Sequence, residues 1–159
     1  MIIRQGKAGD APALCDITND IIRNTLITFT DEERSMDAMT RNITARGQAF
    51  LVAEMEGKAV GFATYAPFRP GPGYARTREL SIQLAKNARG RGLGKRLLSR
   101  LEAVARADGL HVLIAAVSGA NPGAVTFHEN MGFTEVARLP EVGRKQGRWL
   151  DLILLQKVL

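Results

Sequence analysis

Leu80-Ser81-Ile82-Gln83-Leu84-Ala85-Lys86-Asn87-Ala88-Arg89-Gly90-Arg91-Gly92-Leu93-Gly94-Lys95 is the stretch that decides the fold of this chain. Its first five residues read as an apolar strand, and its glycine-rich end opens a helix. Over Gly92 to Ala107 that helix carries Leu93, Leu97, Leu98, Leu101, Val104 and Ala105 on one stripe at helical spacing. A strand that runs through glycines into a helix makes a phosphate cradle. Residues without side chains let the backbone approach a ligand, and the unpaired N–H groups of the first helical turn suit a pyrophosphate. Spacing excludes two common glycine motifs. A Walker loop requires Gly-Lys-Ser/Thr, whereas Gly94-Lys95 is followed by Arg96, with no hydroxyl for magnesium. A dinucleotide fingerprint requires G-x-G-x-x-G, whereas Gly90, Gly92 and Gly94 are evenly spaced and no clear acidic ribose ligand follows. What remains is Arg89-x-x-Gly92-x-Gly94.

Upstream of this stretch, Ile2 to Gln5 reads as a strand, and Asp10 with Pro12 as the cap and first turn of a helix carrying Leu14, Ile17, Ile21 and Ile22. A second helix is predicted from near Ser35 to Arg46, stopped by Gly47. Ala49 to Met55 and Lys58 to Tyr65 read as a hairpin around Glu56-Gly57. Pro67 to Gly73 is a loop, because its prolines lack donors. Arg78 to Leu84 is the next strand.

Downstream, His111 to Val117 is a nearly unbroken apolar run, as in a strand buried on both faces. Ala124 to Asn130 reads as a helix ended by Gly132, and Phe133 to Glu141 and Trp149 to Gln156 as two closing strands. This order predicts an α/β fold in one domain spanning residues 1–159, with a mixed, part-parallel central sheet and helices on both faces. No internal repeat or linker interrupts it.

Composition narrows the function classes. A hydrophobic content of 45% with 24% charged residues is that of a globular chain, and no apolar run approaches a membrane span. The start, Met1 to Gln5, has no secretory core, so the expected location is the cytoplasm. Cys15 stands alone and forms no internal disulfide or thiolate cluster, and no metal is expected. Net charge is +6, from 22 basic and 16 acidic residues, and it is concentrated. Lys86 to Arg106 holds seven basic residues and one acidic residue, Glu102, around the glycine loop where phosphates would lie. Arg100 and Arg106 fit an ordinary solvated helix face. A nucleic-acid-binding module would use the same face, but the chain lacks interleaved exposed aromatics and any nucleic-acid signature.

A second anchor lies beyond the loop: Asn121-Pro122-Gly123-Ala124-Val125-Thr126-Phe127-His128-Glu129-Asn130-Met131-Gly132-Phe133. Together with Arg89-x-x-Gly92-x-Gly94 it resembles the acyl-CoA site of the GNAT N-acetyltransferases. Four further features resemble the branch that acetylates phosphinothricin or methionine sulfone and sulfoximine. They are Asn24-Thr25 with Phe29, Ala66 to Pro70 with Tyr74, Glu79-Leu80-Ser81, and the tail Val142 to Leu152.

The resemblance implies an acetyl-CoA-dependent enzyme acting on the amine of a small amino-acid analogue by direct attack, and a homodimer. It implies cofactor contacts from Ile82, Gln83 and Leu84, from Arg89, Gly90, Arg91, Gly92, Leu93, Gly94 and Lys95, and from Asn121 and Asn130. It implies a substrate loop at Pro72, Gly73 and Tyr74, with Arg69, Arg76 and Thr77 as further contacts. The chain departs from the branch pattern at Ala75-Arg76, at Leu84-Ala85-Lys86 and at Arg144, so the acceptor is less tightly specified than the donor.

An α-ammonium must lose a proton before it attacks a thioester, and Glu79 is the candidate base. The alternative for Glu79 is a solvent-facing strand residue paired with Arg76 or Arg78. His128 stands where many GNAT enzymes have a tyrosine, so it is the candidate to protonate the leaving thiolate; a purely structural histidine is the alternative. Asn121 serves equally as a helix N-cap before Pro122. Backbone N–H groups near Ile82 and Leu84 are candidates to polarise the thioester carbonyl. Acetylation of a protein N-terminus, polyamine or aminoglycoside is the alternative of the same chemistry. A cofactor sensor without catalysis is the alternative of another class.

Overall fold

The computed structural model describes residues 1–159. Seven strands form one sheet: β1 (Ile2–Gln5), β2 (Phe50–Met55), β3 (Lys58–Pro67), β4 (Thr77–Leu84), β5 (Val112–Ser118), β6 (Thr134–Lys145) and β7 (Arg148–Val158). Four helices accompany them: α1 (Ala11–Asn24), α2 (Met36–Arg46), α3 (Leu93–Ala107) and α4 (Pro122–Asn130). The spatial order is β1-β2-β3-β4-β5-β7-β6, antiparallel throughout except for the pair β4 and β5. That single parallel pair is the one that needs a crossover, and α3 supplies it.

The helical stripe on α3 buries Leu93, Leu97, Leu98, Leu101 and Ala105 against Leu51, Ala63, Tyr65, Leu80, Leu113 and Ala115 of the sheet. Leu14 of α1 and Met39 and Ile43 of α2 pack with Phe50, Val52 and Phe62 on a second core. Two layers of helix therefore enclose the sheet, as the patterning predicts.

Local chemistry explains the element ends. Ser35 accepts a hydrogen bond from the Ala38 amide at 3.1 Å and starts α2, and Gly47, at φ 51°, stops it. Glu56 and Gly57 both have positive φ, 49° and 76°, the geometry of a tight hairpin turn. Asp10 precedes α1 as expected but does not cap it. Its carboxylate turns back to the Lys7 amide at 2.8 Å and to the Arg4 guanidinium, tying β1 to the helix start. The strand β6 also outruns its expected end at Glu141. A bulge between Leu139 and Gly143, with Glu141 at φ 56°, restores pairing so that Gly143, Arg144 and Lys145 face Leu150, Trp149 and Arg148.

A buried ion pair joins three elements on the α3 side. Glu102 accepts two bonds from the Lys157 ammonium at 2.8 and 2.9 Å, and the same ammonium donates to the Met131 carbonyl at 2.7 Å, at the C-terminal end of α4.

Candidate active site

The site begins where two strands part. Pairing of β4 with β5 covers only Thr77 to Leu80 against Val112 to Ala115. Beyond Leu80, Ser81 to Leu84 remains paired to β3 on one side and has no partner strand on the other. The Ala85 amide donates to Val60 of β3, and backbone alternation along β4 then turns the polar groups of Ile82 and Leu84 into the opening. The opening is a cleft edged by main-chain donors and acceptors, which suits an extended amide-bearing chain.

At its end the chain turns into α3. Gly90 and Gly92 lie at φ 72° and 76°, a left-handed conformation that glycine adopts without strain. No heavy atom lies within 4 Å of a Cβ built at either one, so backbone conformation rather than crowding calls for glycine there. Gly94 differs: a Cβ there would meet the Phe127 ring of α4 at 3.4 Å, an ordinary van der Waals contact. No side chain caps α3, and the Leu93, Gly94 and Lys95 amides find no acceptor within the chain. Arg89 and Arg91 fold onto the loop, their Nε atoms donating to the Leu84 carbonyl at 3.2 Å and the Asn87 carbonyl at 3.1 Å. Free amides, a positive helix end and exposed Arg89, Arg91 and Lys95 together fit a pyrophosphate. On the α1 side, a hollow of about 320 Å³ adjoins the loop, between Asp16, Ile17, Asp20 and Ile21 and the Leu84 to Asn87 segment.

Across the cleft, α4 starts at Asn121, whose Oδ1 accepts from the Ala124 amide at 3.3 Å. The capping role is therefore realised, and the Asn121 Nδ2 donors remain free for a ligand. Asn130, at the other end of α4, is exposed.

Glu79 lies in the paired part of β4, with Ala66 and Ile114 beside it on the neighbouring strands. The Gln83 side chain, four residues on and of the same strand parity, accepts from Thr18 of α1 at 2.7 Å, so Glu79 looks toward the α1 face. It pairs with neither Arg76 nor Arg78; Arg78 donates instead to the Ala75 and Thr77 carbonyls. Half-buried and without an ion-pair partner, the Glu79 carboxyl is held above the usual carboxylate range by desolvation.

His128 is buried, with its ring edge-on to Phe127 and Phe133 at 5.1 and 5.3 Å between centroids. Its Nδ1 lies 2.7 Å from the Ala124 carbonyl, which places a proton on Nδ1 and leaves Nε2 a buried acceptor without a partner. Desolvation lowers its pKa, so the ring is neutral near pH 7.

The proposed substrate loop forms one exposed cluster. Pro72 to Tyr74 is a single 3₁₀ turn, Phe68 meets the Tyr74 ring at 6.2 Å, and Arg69 lies 6.0 Å from that ring. Gly73 is exposed within the turn, and Thr77, at the head of β4, is half-buried.

Sequence reasoning did not single out what holds the segment between α1 and α2. Ser118, the last residue of β5, donates to the Leu26 carbonyl at 2.8 Å. Phe29 lies against Gly143, where any Cβ would come within 2.6 Å of its ring. Lys145 is buried and donates to the Thr28 hydroxyl at 3.0 Å. A lysine beside a hairpin turn reads as a solvent-facing residue; the only signal was the Phe29 and Val142 to Leu152 segments standing out together.

The acetyltransferase (GNAT) family model matches residues 15–133. An L-methionine sulfoximine/L-methionine sulfone acetyltransferase of Pseudomonas aeruginosa is 36% identical, over 97% of this chain and 92% of that protein. A crystal structure from Brucella melitensis, described as a ribosomal-protein-alanine N-acetyltransferase, superposes with a TM-score of 0.92 at 41% identity over all of both chains. A phosphinothricin acetyltransferase from Sinorhizobium meliloti, solved with acetyl-CoA, gives 0.93 at 30% identity over 99% of this chain and 88% of that one. With the parted strands, the glycine loop and the α3 amides already in place, these matches show that the chain belongs to the GNAT family of acetyltransferases.

Proposed function

We propose that this protein is an acetyl-CoA-dependent N-acetyltransferase whose acceptor is the α-amine of a small amino-acid analogue, in the class of methionine sulfone, methionine sulfoximine and phosphinothricin. The carrying observation is the pairing of two features. A cleft edged by free main-chain groups ends at the uncapped start of α3, and a half-buried, unpaired Glu79 stands on the strand that forms its wall. The relatives of that substrate class support the acceptor.

In this reading Arg89 to Lys95 bind the pyrophosphate, and Ile82 to Leu84, Asn121 and Asn130 bind the arm that follows it. The thioester, once bound, supplies an activated acetyl group, so the protein's task is to orient and deprotonate the amine. Glu79 takes the ammonium proton, directly or through one water, and the amine attacks. The Ile82 and Leu84 amides, which face the opening, would polarise the thioester carbonyl. Pro72 to Tyr74, Arg69 and Thr77 line the acceptor's approach. His128 is the proton donor to the leaving thiolate in this scheme; its buried neutral ring makes that contribution small, because Nε2 must first gain a proton. No metal takes part, the chain works as one domain in the cytoplasm, and its net positive charge serves phosphate rather than nucleic acid.

The test is free-CoA release on a panel of methionine sulfone, methionine sulfoximine, phosphinothricin, polyamines, an aminoglycoside and a peptide with N-terminal alanine. Turnover of the first three above the rest is expected. The Brucella likeness favours a second reading, N-terminal acetylation of a protein, and preferential turnover of the alanine peptide would establish it instead.

A further inference from the structure

Arg46, the last residue of α2, is half-buried, and its guanidinium has one hydrogen-bond partner, a neutral one: Nη1 donates to the buried Thr64 hydroxyl at 3.4 Å. Neither Arg46 nor Arg34, which precedes the Ser35 cap of the same helix, has a carboxylate within ion-pairing distance. Burial, with Arg34 as a like charge nearby, lowers the pKa of Arg46. Arg4, also half-buried, is instead held by Asp10 at 2.8 Å and Glu54 at 2.7 Å. A guanidinium carries five donors in a fork that matches a carboxylate, so one long bond to a hydroxyl leaves most of that fork unmatched.

The sheet register fixes where this cation stands. Thr64 of β3 lies directly opposite Ser81 of β4, and Ala66 lies opposite Glu79. Opposed residues share a face of the sheet, so Thr64 and Glu79 are diagonal neighbours on one face, with Cβ atoms roughly 7 Å apart. That face carries α1 and α2: Phe62, of the same parity as Thr64, packs with Leu14, Met39 and Ile43, and Gln83 meets Thr18. The Arg46 guanidinium therefore covers the ladder one diagonal step from Glu79, level with Ser81, the first residue of β4 beyond its pairing with β5. Ser81 is exposed, so this face is open to solvent beside both groups. An α-amino acid acceptor is a zwitterion: its amine needs a base and its carboxylate needs a cation. A diagonal step between an unpaired acid and an unpaired guanidinium suits the short span between those two ends, with a hydrogen bond at each.

We infer that Arg46 anchors the acceptor's α-carboxylate beside Glu79, and so is a specificity-determining residue that selects amino acids over simple amines. The inference rests on the amino-acid reading proposed above. The probes are L-methionine sulfone and its decarboxylated counterpart, 3-(methylsulfonyl)propylamine. The wild-type enzyme should favour the amino acid strongly. Arg46→Met should raise KM for methionine sulfone about 10- to 100-fold, leaving turnover of the decarboxylated amine and acetyl-CoA affinity near wild type. Arg46→Lys, which keeps the charge and loses the fork, should raise that KM only several-fold. Binding of methionine sulfone to the free protein, read by calorimetry, should weaken in the same order.

An equal loss on both acceptors, or no loss on either, would mean that Arg46 only covers Thr64 at the end of α2, and overturns the inference alone. Should Arg46→Met not fold, Arg46→Lys decides: unchanged KM for methionine sulfone overturns the inference, and a rise confined to the carboxylated acceptor sustains it. A wild-type enzyme that turns over no amino acid, but acetylates a peptide, overturns the amino-acid reading and this inference with it.

Discussion

Glu79 carries opposite demands for stability and for chemistry. Its folded pKa is raised by desolvation above the unfolded value, so the native state binds the proton more tightly. Its contribution to stability is therefore lost as pH rises from the ordinary carboxylate range through the raised folded pKa. Glu79→Gln should melt no lower than wild type at pH 7.5, while kcat falls about 10²- to 10⁴-fold, as for a lost general base. Thermal melts paired with thiol-release assays check both halves. His128 behaves inversely. Its folded pKa is lowered, so stability is complete above the unfolded value of about 6.5 and declines as pH falls through it toward the folded pKa. His128→Phe should flatten the melting temperature between about pH 6.5 and pH 5 and slow turnover by less than about tenfold, given the small role of a neutral ring. A loss near that of Glu79→Gln would instead make His128 an essential proton donor.

At the scale of elements, α3 is both the proposed phosphate site and the anchor of the core. Gly92 opens it in a left-handed conformation with free space around it. Gly92→Val should therefore strain the backbone rather than clash, costing about 1–2 kcal/mol of stability and raising KM for acetyl-CoA more than it lowers kcat. The Lys157 bridge holds α3, β7 and the end of α4 together. Lys157→Met leaves the buried Glu102 with only the exposed Arg106 guanidinium at 3.6 Å and should cost about 2–3 kcal/mol in chemical denaturation, much of it recovered when Glu102→Leu is added.

Most elements were legible in the sequence because their signals are local. The α3 stripe, the Ser35 cap, the Gly47 stop and the Glu56-Gly57 turn each act within a few residues. What was not legible depends on partners far along the chain. Asp10 was read as a cap, but Arg4 claims its carboxylate across the β1 to α1 junction. The end of β6 was hidden by a bulge that only pairing with β7 defines. The covered state of Lys145 needs Thr28, separated from it by most of the sequence.

Over the whole molecule, the proposed donor contacts fall on β4, the glycine loop, the start of α3 and the two ends of α4, whereas the acceptor contacts of the proposed function lie in the Arg69 to Tyr74 loop and at Thr77 and Glu79 of β4. The donor expectation rests on a contiguous glycine motif, whereas the acceptor expectation has no comparable local signature. The outer hairpin also presents Trp149 at 60% exposure, stacked under the Arg144 guanidinium at 4.3 Å, beside Val142 at 54%. We propose that this apolar surface is the contact of the homodimer that the family resemblance implies. Light scattering should give about twice the 17.3 kDa chain mass, and Trp149→Ser should shift it toward the monomer.

The central claim is that an amine bound in the cleft is deprotonated by Glu79 and acetylated there. It is tested most directly by the pH dependence of kcat/KM for methionine sulfone at saturating acetyl-CoA, compared between wild type and Glu79→Gln. The account predicts that wild-type activity falls on the acid side through a pKa above the usual carboxylate range, and that Glu79→Gln loses this limb, retaining activity only at high pH. A Glu79→Gln profile superimposable on wild type, with undiminished rate, would contradict it.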